Sequence, residues 1–153
     1  MNEAIEHAVP GWLFAPVVDA LLALCGVNTT IATTVVAEIG DIIRFENPRQ
    51  LMAWLGLVPS ESSSGSTTRR CRLTKTGNAL ARTKLVDAGW SYRHPPKERH
   101  PYLKRSAHLP QHNKDIGWKA QVRLCKRYRA LNRTGKPQPR VLAAIARKTA
   151  LNI

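Results

Sequence analysis

Leu22-Ala23-Leu24-Cys25-Gly26-Val27-Asn28-Thr29-Thr30-Ile31-Ala32 decides the fold class. An apolar run stops at a glycine, turns through Gly26-Val27-Asn28, and resumes behind two threonines. Before the turn, Val17, Leu21, Leu24 and Cys25 recur at helical spacing, so a helix is expected over 12–25. Gly26 can end it in the left-handed conformation that other residues avoid. Thr29 or Thr30 can cap the next helix, whose apolar face is Ile31, Val35, Val36 and Ile39. Gly40 closes that helix. This hairpin of helices resembles the helix-hairpin-helix motif, in which backbone amides and a helix N-terminus face one phosphate. Gly26, Asn28 and Thr29 are the candidates for such a contact, with Asn28 in the place of a second glycine because Asn tolerates positive φ. An ordinary packing unit of two helices is the plainer alternative.

Downstream, Asn47-Pro48 is a strong helix start, with Leu51, Met52 and Leu55 on one side and Gly56 as the stop. Residues 60–68 (Ser-Glu-Ser-Ser-Ser-Gly-Ser-Thr-Thr) are polar and aperiodic and read as a loop. Residues 69–74 alternate weakly, as a short extended piece would. Asn78 is a good N-cap for a helix over 79–90. Residues 93–113 are rich in His, Pro, Lys and Arg and read as a basic connection. Residues 115–131 form an amphipathic helix, with Ile116, Ala120, Leu124, Tyr128 and Leu131 as its stripe and Lys119, Arg123, Lys126, Arg127 and Arg129 around it. A last short helix covers 140–151. The fold class is therefore mainly α: a helix-hairpin-helix-like N-terminal part, a Ser-rich loop, then basic helices. Three segments follow from this, at 12–92, 93–113 and 114–153.

Charge separates the halves. Residues 1–61 carry two basic and seven acidic side chains, a net of −5, and the remainder carries 22 basic and three acidic, a net of +19. The whole chain of 153 residues stands at +14. A compact region so cationic repels itself unless a polyanion neutralises it. DNA is the expected partner, through phosphate contacts and counterion release. An anionic membrane surface ranks behind it. No apolar run reaches the roughly eighteen residues of a membrane span, and residues 1–10 lack the pattern of a signal peptide. Cys25, Cys71 and Cys125 are odd in number and widely spaced, which suits idle thiols in a reducing cytosol.

Chemistry concentrates around the serines. A hydroxyl attacks only if its proton is removed and the charge on the attacked group is stabilised. Guanidiniums do the second for a phosphodiester by binding its oxygens in pairs. Ser63, Ser64 and the permissive Gly65 precede Arg69, Arg70, Arg72 and Lys75. A flexible Ser-rich linker is the competing explanation. Lys119 and Arg123 on the basic helix are further candidate phosphate contacts. No metal site is expected: His108 and His112 are interrupted by Pro110, and the ten carboxylates are scattered.

The order Glu38-Ile39-Gly40-Asp41, Arg44-Phe45, Pro48 through Glu61, Ser63-Ser64-Gly65, Leu73 through Asn78, Arg82 and Leu85-Val86 resembles the C-terminal domain of the insertion sequence 110/116/902 transposase family. Ala120-Gln121, Arg123-Leu124-Cys125, Arg127-Tyr128 and Ala144 through Arg147 fit its tail. The resemblance implies a DNA recombinase of two cooperating halves. One is RuvC-like, with metal-binding acidic residues; the other supplies a serine that attacks DNA and forms a phosphoserine link. A bridge RNA guides site choice. By position, Ser64 is the expected nucleophile and Ser63 the second choice, with Arg69, Arg70, Lys75 and Arg82 contacting phosphate. Residues 1–11 cannot supply the RuvC-like half. The expectation is thus part of a transposase (a truncated remnant, an excised domain or one part of a split protein), inactive alone, with no cofactor of its own and a divalent metal only in the missing half. Its expected partners are DNA, a bridge RNA, further copies of itself or a separate RuvC-like domain, and no membrane. Its expected place is a prokaryotic cytoplasm, at the nucleoid. The alternative is a non-catalytic nucleic-acid-binding module.

Overall fold

The computed structural model describes residues 2–64, 67–97 and 100–150. Helices dominate, as the patterning predicts. Helix α1 (Asn2–Ala8) lies beside α3 (Thr29–Ile39), and a 3-10 turn over Val9–Gly11 leads into α2 (Ala15–Leu22). Helix α2 is shorter than the expected 12–25. Pro16 stands in its first turn, where a missing N–H costs nothing, and Ala23 already bends the chain toward Gly26. Helix α3 is capped by Asn28, whose Oδ1 accepts from Ile31 N at 2.8 Å, rather than by either threonine. Helix α4 (Pro48–Trp54) begins as read, with the Asn47 side chain accepting from the Arg49 and Gln50 amides.

The serine segment differs from the expected loop. Strand β1 (Pro59–Ser64) pairs antiparallel with β2 (Thr67–Leu73). The register joins Pro59 to Leu73, Glu61 to Arg70, Ser62 to Arg69, Ser63 to Thr68 and Ser64 to Thr67, with an irregularity between Pro59 and Glu61. Serine and threonine carry no apolar alternation, so the two-residue period of the strand leaves no trace in hydropathy. Backbone pairing holds the ribbon instead. A lone two-stranded ribbon is marginal in water, and this one is tied down at its base. Thr74 N donates to Val58 O at 3.0 Å and Lys75 N to Gly56 O at 3.3 Å.

Helix α5 (Ala79–Gly89) runs into a 3-10 turn over Trp90–Arg93. The basic connection contains a helix of its own, α6 (His100–Ser106). Its ordering comes from Tyr102, buried with its hydroxyl donating to Ala23 O at 3.2 Å, and from Ser106, whose hydroxyl donates to Tyr102 O at 2.7 Å. Helix α7 (Gln111–Arg133) is longer than its apolar stripe, and α8 (Gln138–Thr149) folds back on it. Ile116 is exposed, contrary to the expected stripe; Gly117 and Gln121 are buried instead. At Gly117 a Cβ would strike the Ala23 carbonyl, so α7 crosses the end of α2 backbone to side-chainless residue. Ile116, one residue away, is turned out by that crossing.

Three apolar clusters meet across these helices. Val18, Leu22, Ala32 and Ala120 fill the first; Val35, Leu51, Leu55, Leu57, Leu85 and Ala146 the second; Tyr92, Leu124, Tyr128, Val141 and Ile145 the third. Each fully buried leucine is worth about 1.5–3 kcal/mol against exposure. Helices α3, α5 and α8 pack in sequence through this interior, with α7 on α8. No helix among the described residues is long and apolar enough to cross a membrane.

Candidate nucleic-acid interface

The base of the serine ribbon is held by backbone contacts and side-chain hydrogen bonds. Gly56, at φ +65°, ends α4 and sends the chain into β1. Across from it, a Cβ on Gly77 would overlap the Trp54 carbonyl, so the turn after β2 touches the end of α4 directly. Asn78 N donates to Trp54 O at 3.1 Å. The Asn78 side chain accepts from Ala81 N, capping α5, while its amide donates to the Glu38 carboxylate at the end of α3. Arg82, one turn into α5, donates to Leu55 O at 2.9 Å and lies 3.4 Å from Gly77 O. Its guanidinium is half-buried and braces the ribbon's base. Lys75 sits in the left-handed region at φ 55°, an uncommon place for a residue with a Cβ, and its side chain is exposed.

Gly65 and Ser66 lie outside the described residues, and so do the side chains of Ser63, Ser64, Arg69, Arg70 and Arg72. Their backbone register is described. Because the strand pleat alternates, it assigns residues to two faces. Ser64, Ser62, Thr67 and Arg69 share one; Ser63, Glu61, Thr68 and Arg70 share the other.

Beside the ribbon's base, the Arg44 guanidinium stands 4.7 Å from the Phe45 ring centre and 5.1 Å from that of Trp54. The two rings meet edge to face at 6.0 Å. Sequence reasoning treated these three as motif residues and not as a site. Adjacent Arg44-Phe45 was the signal available, since arginine stacks on aromatic faces.

The Gly26–Thr29 turn lies at the other end of the molecule. Glu38 and Asn78 join α3 to the start of α5, whereas Gly26 meets its end, so α3 and α5 run antiparallel. The eleven residues of α3 set the two regions roughly 16 Å apart. Gly26, at φ +84°, turns inward: a Cβ there would meet Ala88 O and Ser91 Oγ. Asn28 does not take the positive φ expected of a second hairpin glycine. It is extended, at φ −98° and ψ 174°, and spends its side chain on Ile31 N. The candidate contacts are therefore not one cluster. Lys75 and Arg82 belong to the ribbon's base, and Gly26, Asn28 and Thr29 to the far end of α3. Lys119 and Arg123 are exposed on α7, with Lys126 and Arg127.

Among the described residues, no three of His, Cys, Asp and Glu come together as a metal group. Burial pushes the Cys125 thiol up to about 11, with Cys25 adding to the rise and Arg129 opposing it. A thiol so disfavoured as thiolate is a core group and not a nucleophile.

The family model for "Transposase IS116/IS110/IS902 family" matches residues 18–103. That span runs from within α2 to within α6 and includes the ribbon. The chain is 48% identical over 150 residues to a protein of Sinorhizobium fredii that carries a transposase name, y4qE, covering 98% of this chain and 38% of the relative. It is 43% identical over 61 residues to the transposase for insertion sequence element IS1111A of Coxiella burnetii, covering 40% of this chain and 17% of that one. The chain thus spans under two-fifths of the length of either relative.

Proposed function

The chain belongs to the IS116/IS110/IS902 transposase family, and on that premise we propose that it is the DNA-binding, serine-bearing part of a transposase that acts in DNA transposition. The observation that carries this reading is the ribbon. Its register sets serines on one strand across from a strand with three arginines, and its base is braced by Asn78, Gly77 and Arg82. Rigid support under a reacting group lowers the entropy cost of alignment.

In the proposed step, the Ser64 oxygen attacks a DNA phosphorus. A Ser–O–P bond forms, one P–O bond to a sugar breaks, and the serine proton goes by way of a base to the departing sugar oxygen. Ser63 is the second candidate. Arg69 shares a face with Ser64 and would stabilise the charge on the phosphoryl oxygens; Arg70 shares one with Ser63. Lys75 and the cations of α7 would hold flanking phosphates. A RuvC-like acidic half with divalent metal, supplied by further chain or by a partner, completes the proposal. A bridge RNA, self-association and location at the nucleoid belong to the same reading.

The exposed cations of α7 favour a second reading, a nucleic-acid-binding module without chemistry, because they lie on a different element from the serines. One experiment separates the two. The chain is incubated with the acidic half and a nicked duplex that traps covalent intermediates. Ser64→Ala should abolish the protein–DNA adduct and leave duplex affinity within about twofold. No adduct from the unaltered chain would favour the binding module. Failure to bind duplex DNA at low ionic strength would overturn both.

A further inference from the structure

A cleft of about 290 Å³ opens where the 3-10 turn after α5, the following extended segment and α7 converge. We infer that this cleft is a binding site for a single unpaired nucleotide, with Trp90 as the surface on which the base stacks and Arg93 and Lys97 as the phosphate contacts. The inference rests on the nucleic-acid reading above, but it concerns a site away from the serine ribbon, at the C-terminal end of α5 beside Gly26.

Three observations carry it. The first is the aromatic wall. Trp90 is 41% exposed, an unusual place for so large an apolar ring, and it lines the cleft. Tryptophan offers a wide π-face on which any base can stack. The second is a positioned cation. The Arg93 guanidinium carbon lies 5.9 Å from the Trp90 ring centre, and its Nε donates to His94 Nε2 at 3.0 Å. Those two contacts orient the guanidinium beside the ring and leave its terminal nitrogens without a partner among the described residues. Lys97 adds a second cation, and among the described residues no carboxylate lines the cleft.

The third is that the walls are built. Buried Gln121 on α7 donates to Lys97 O at 3.2 Å, pinning the extended segment against the helix. Gly26 forms the floor, so close to Ala88 O and Ser91 Oγ that no side chain fits between. The volume is roughly twice the ~150 Å³ that holds one benzene ring, which leaves room for a base with part of its sugar. A paired base in a duplex cannot enter, since its faces are covered by its neighbours. The ligand is therefore an unpaired nucleotide, of DNA or of RNA.

The test uses fluorescence anisotropy with labelled twelve-nucleotide probes: oligothymidylate, oligouridylate, and an abasic strand of equal charge, beside a duplex. The unaltered chain should bind one of the two base-bearing strands at least about fivefold more tightly than the abasic strand, and the stronger arm identifies DNA or RNA as the source. Trp90→Ala should weaken that strand by about 5- to 150-fold, the loss of one stacked base. It should leave the abasic strand and the duplex within about twofold. Trp90→Phe should restore most of the difference, and Arg93→Gln should weaken the preferred base-bearing strand and the abasic strand alike. Equal losses on duplex and single strand, or no loss at all, would overturn the inference. So would a polyglutamate competitor as effective as the oligonucleotide at equal charge. If the unaltered chain binds no probe of any kind, the function proposed above fails as well; if it binds but ignores Trp90, only the cleft is misassigned.

Discussion

The Asn78 side chain joins two helices at once: its oxygen caps the first turn of α5 and its amide nitrogen donates to the Glu38 carboxylate of α3, forty residues earlier in the chain. The ribbon that carries the serines enters and leaves next to this joint, because Asn78 N also donates to Trp54 O at the end of α4. Stability and site geometry are therefore coupled at one residue.

Replacing Asn78 should show that coupling. Asn78→Ala removes a cap, worth about 1 kcal/mol, and leaves the half-buried Glu38 without its donor, worth about 1 kcal/mol more. The expected loss is about 2 kcal/mol, or a fall of roughly 4–8 °C in Tm. Asn78→Asp keeps the cap but sets a second carboxylate against Glu38, so it should also be destabilised, and more so at low ionic strength. Urea unfolding followed by circular dichroism reads both. A neutral Asn78→Ala would show that the joint contributes nothing.

Gly77 should not tolerate a methyl group. Its Cβ position overlaps the Trp54 carbonyl and comes within 2.6 Å of Gly56 N, both backbone atoms that cannot rotate away. Gly77→Ala should cost about 3 kcal/mol or prevent folding. Gly11→Ala, with nothing within 4 Å of the added carbon, should unfold at the urea concentration of the parent to within the usual ±0.5 kcal/mol of surface changes.

In the ribbon's register Ser64 and Ser63 stand across from Thr67 and Thr68, with Arg69 on the face of Ser64 and Arg70 on that of Ser63. If Ser64 is the nucleophile, Arg69→Ala should depress covalent adduct formation by about 100-fold, in the range seen when a charge-stabilising donor is lost. Arg70→Ala should then act mainly on binding. The reverse order of effects would assign the chemistry to Ser63.

Salt dependence should report α7. If Lys119 and Arg123 each neutralise one phosphate, the double alanine variant should bind duplex DNA with a log–log salt slope shallower by about 2. A lowered affinity at unchanged slope would mean that these side chains act through the fold and not on phosphate.

The Cys125 thiol predicts a loss of stability in alkali. Its folded value of about 11 lies above the ordinary thiol value of 9.0, so the unfolded chain releases this proton first. The contribution is intact below pH 9 and drains away as pH rises from about 9 to about 11, by at most about 3 kcal/mol. Cys125→Ala should be flatter than the parent over that window in pH-dependent urea titrations, whatever its stability at pH 7. Parallel curves would show that burial does not hold the thiol protonated.

Much of the helical framework was legible because its signals are local. Asn47-Pro48 and Asn78 cap amides two or three residues away, and Gly26, Gly40 and Gly56 take positive φ where the helices were expected to stop. The charge asymmetry was equally plain, since it needs only a count. The serine ribbon was not legible as strand. Ser60 through Thr68 have no apolar period, and what makes them extended is a partner strand joined by backbone bonds that any residue can form. Helix α6 was hidden for a similar reason: it rests on Tyr102 reaching Ala23 O across seventy-nine residues.

The sequence by itself determined several helix caps and stops, the concentration of positive charge in the second part of the chain, and which hydroxyls stand near which cations along the chain. Only the tertiary structure decided that Gly26 turns inward against α5, that Gly117 yields to the Ala23 carbonyl and so turns Ile116 out, and that Trp90, Arg93 and Lys97 face one cleft. Caps and turns are settled among neighbours within about four residues. Which face of a helix is covered depends on the backbone that happens to cross it, and no local pattern carries that information.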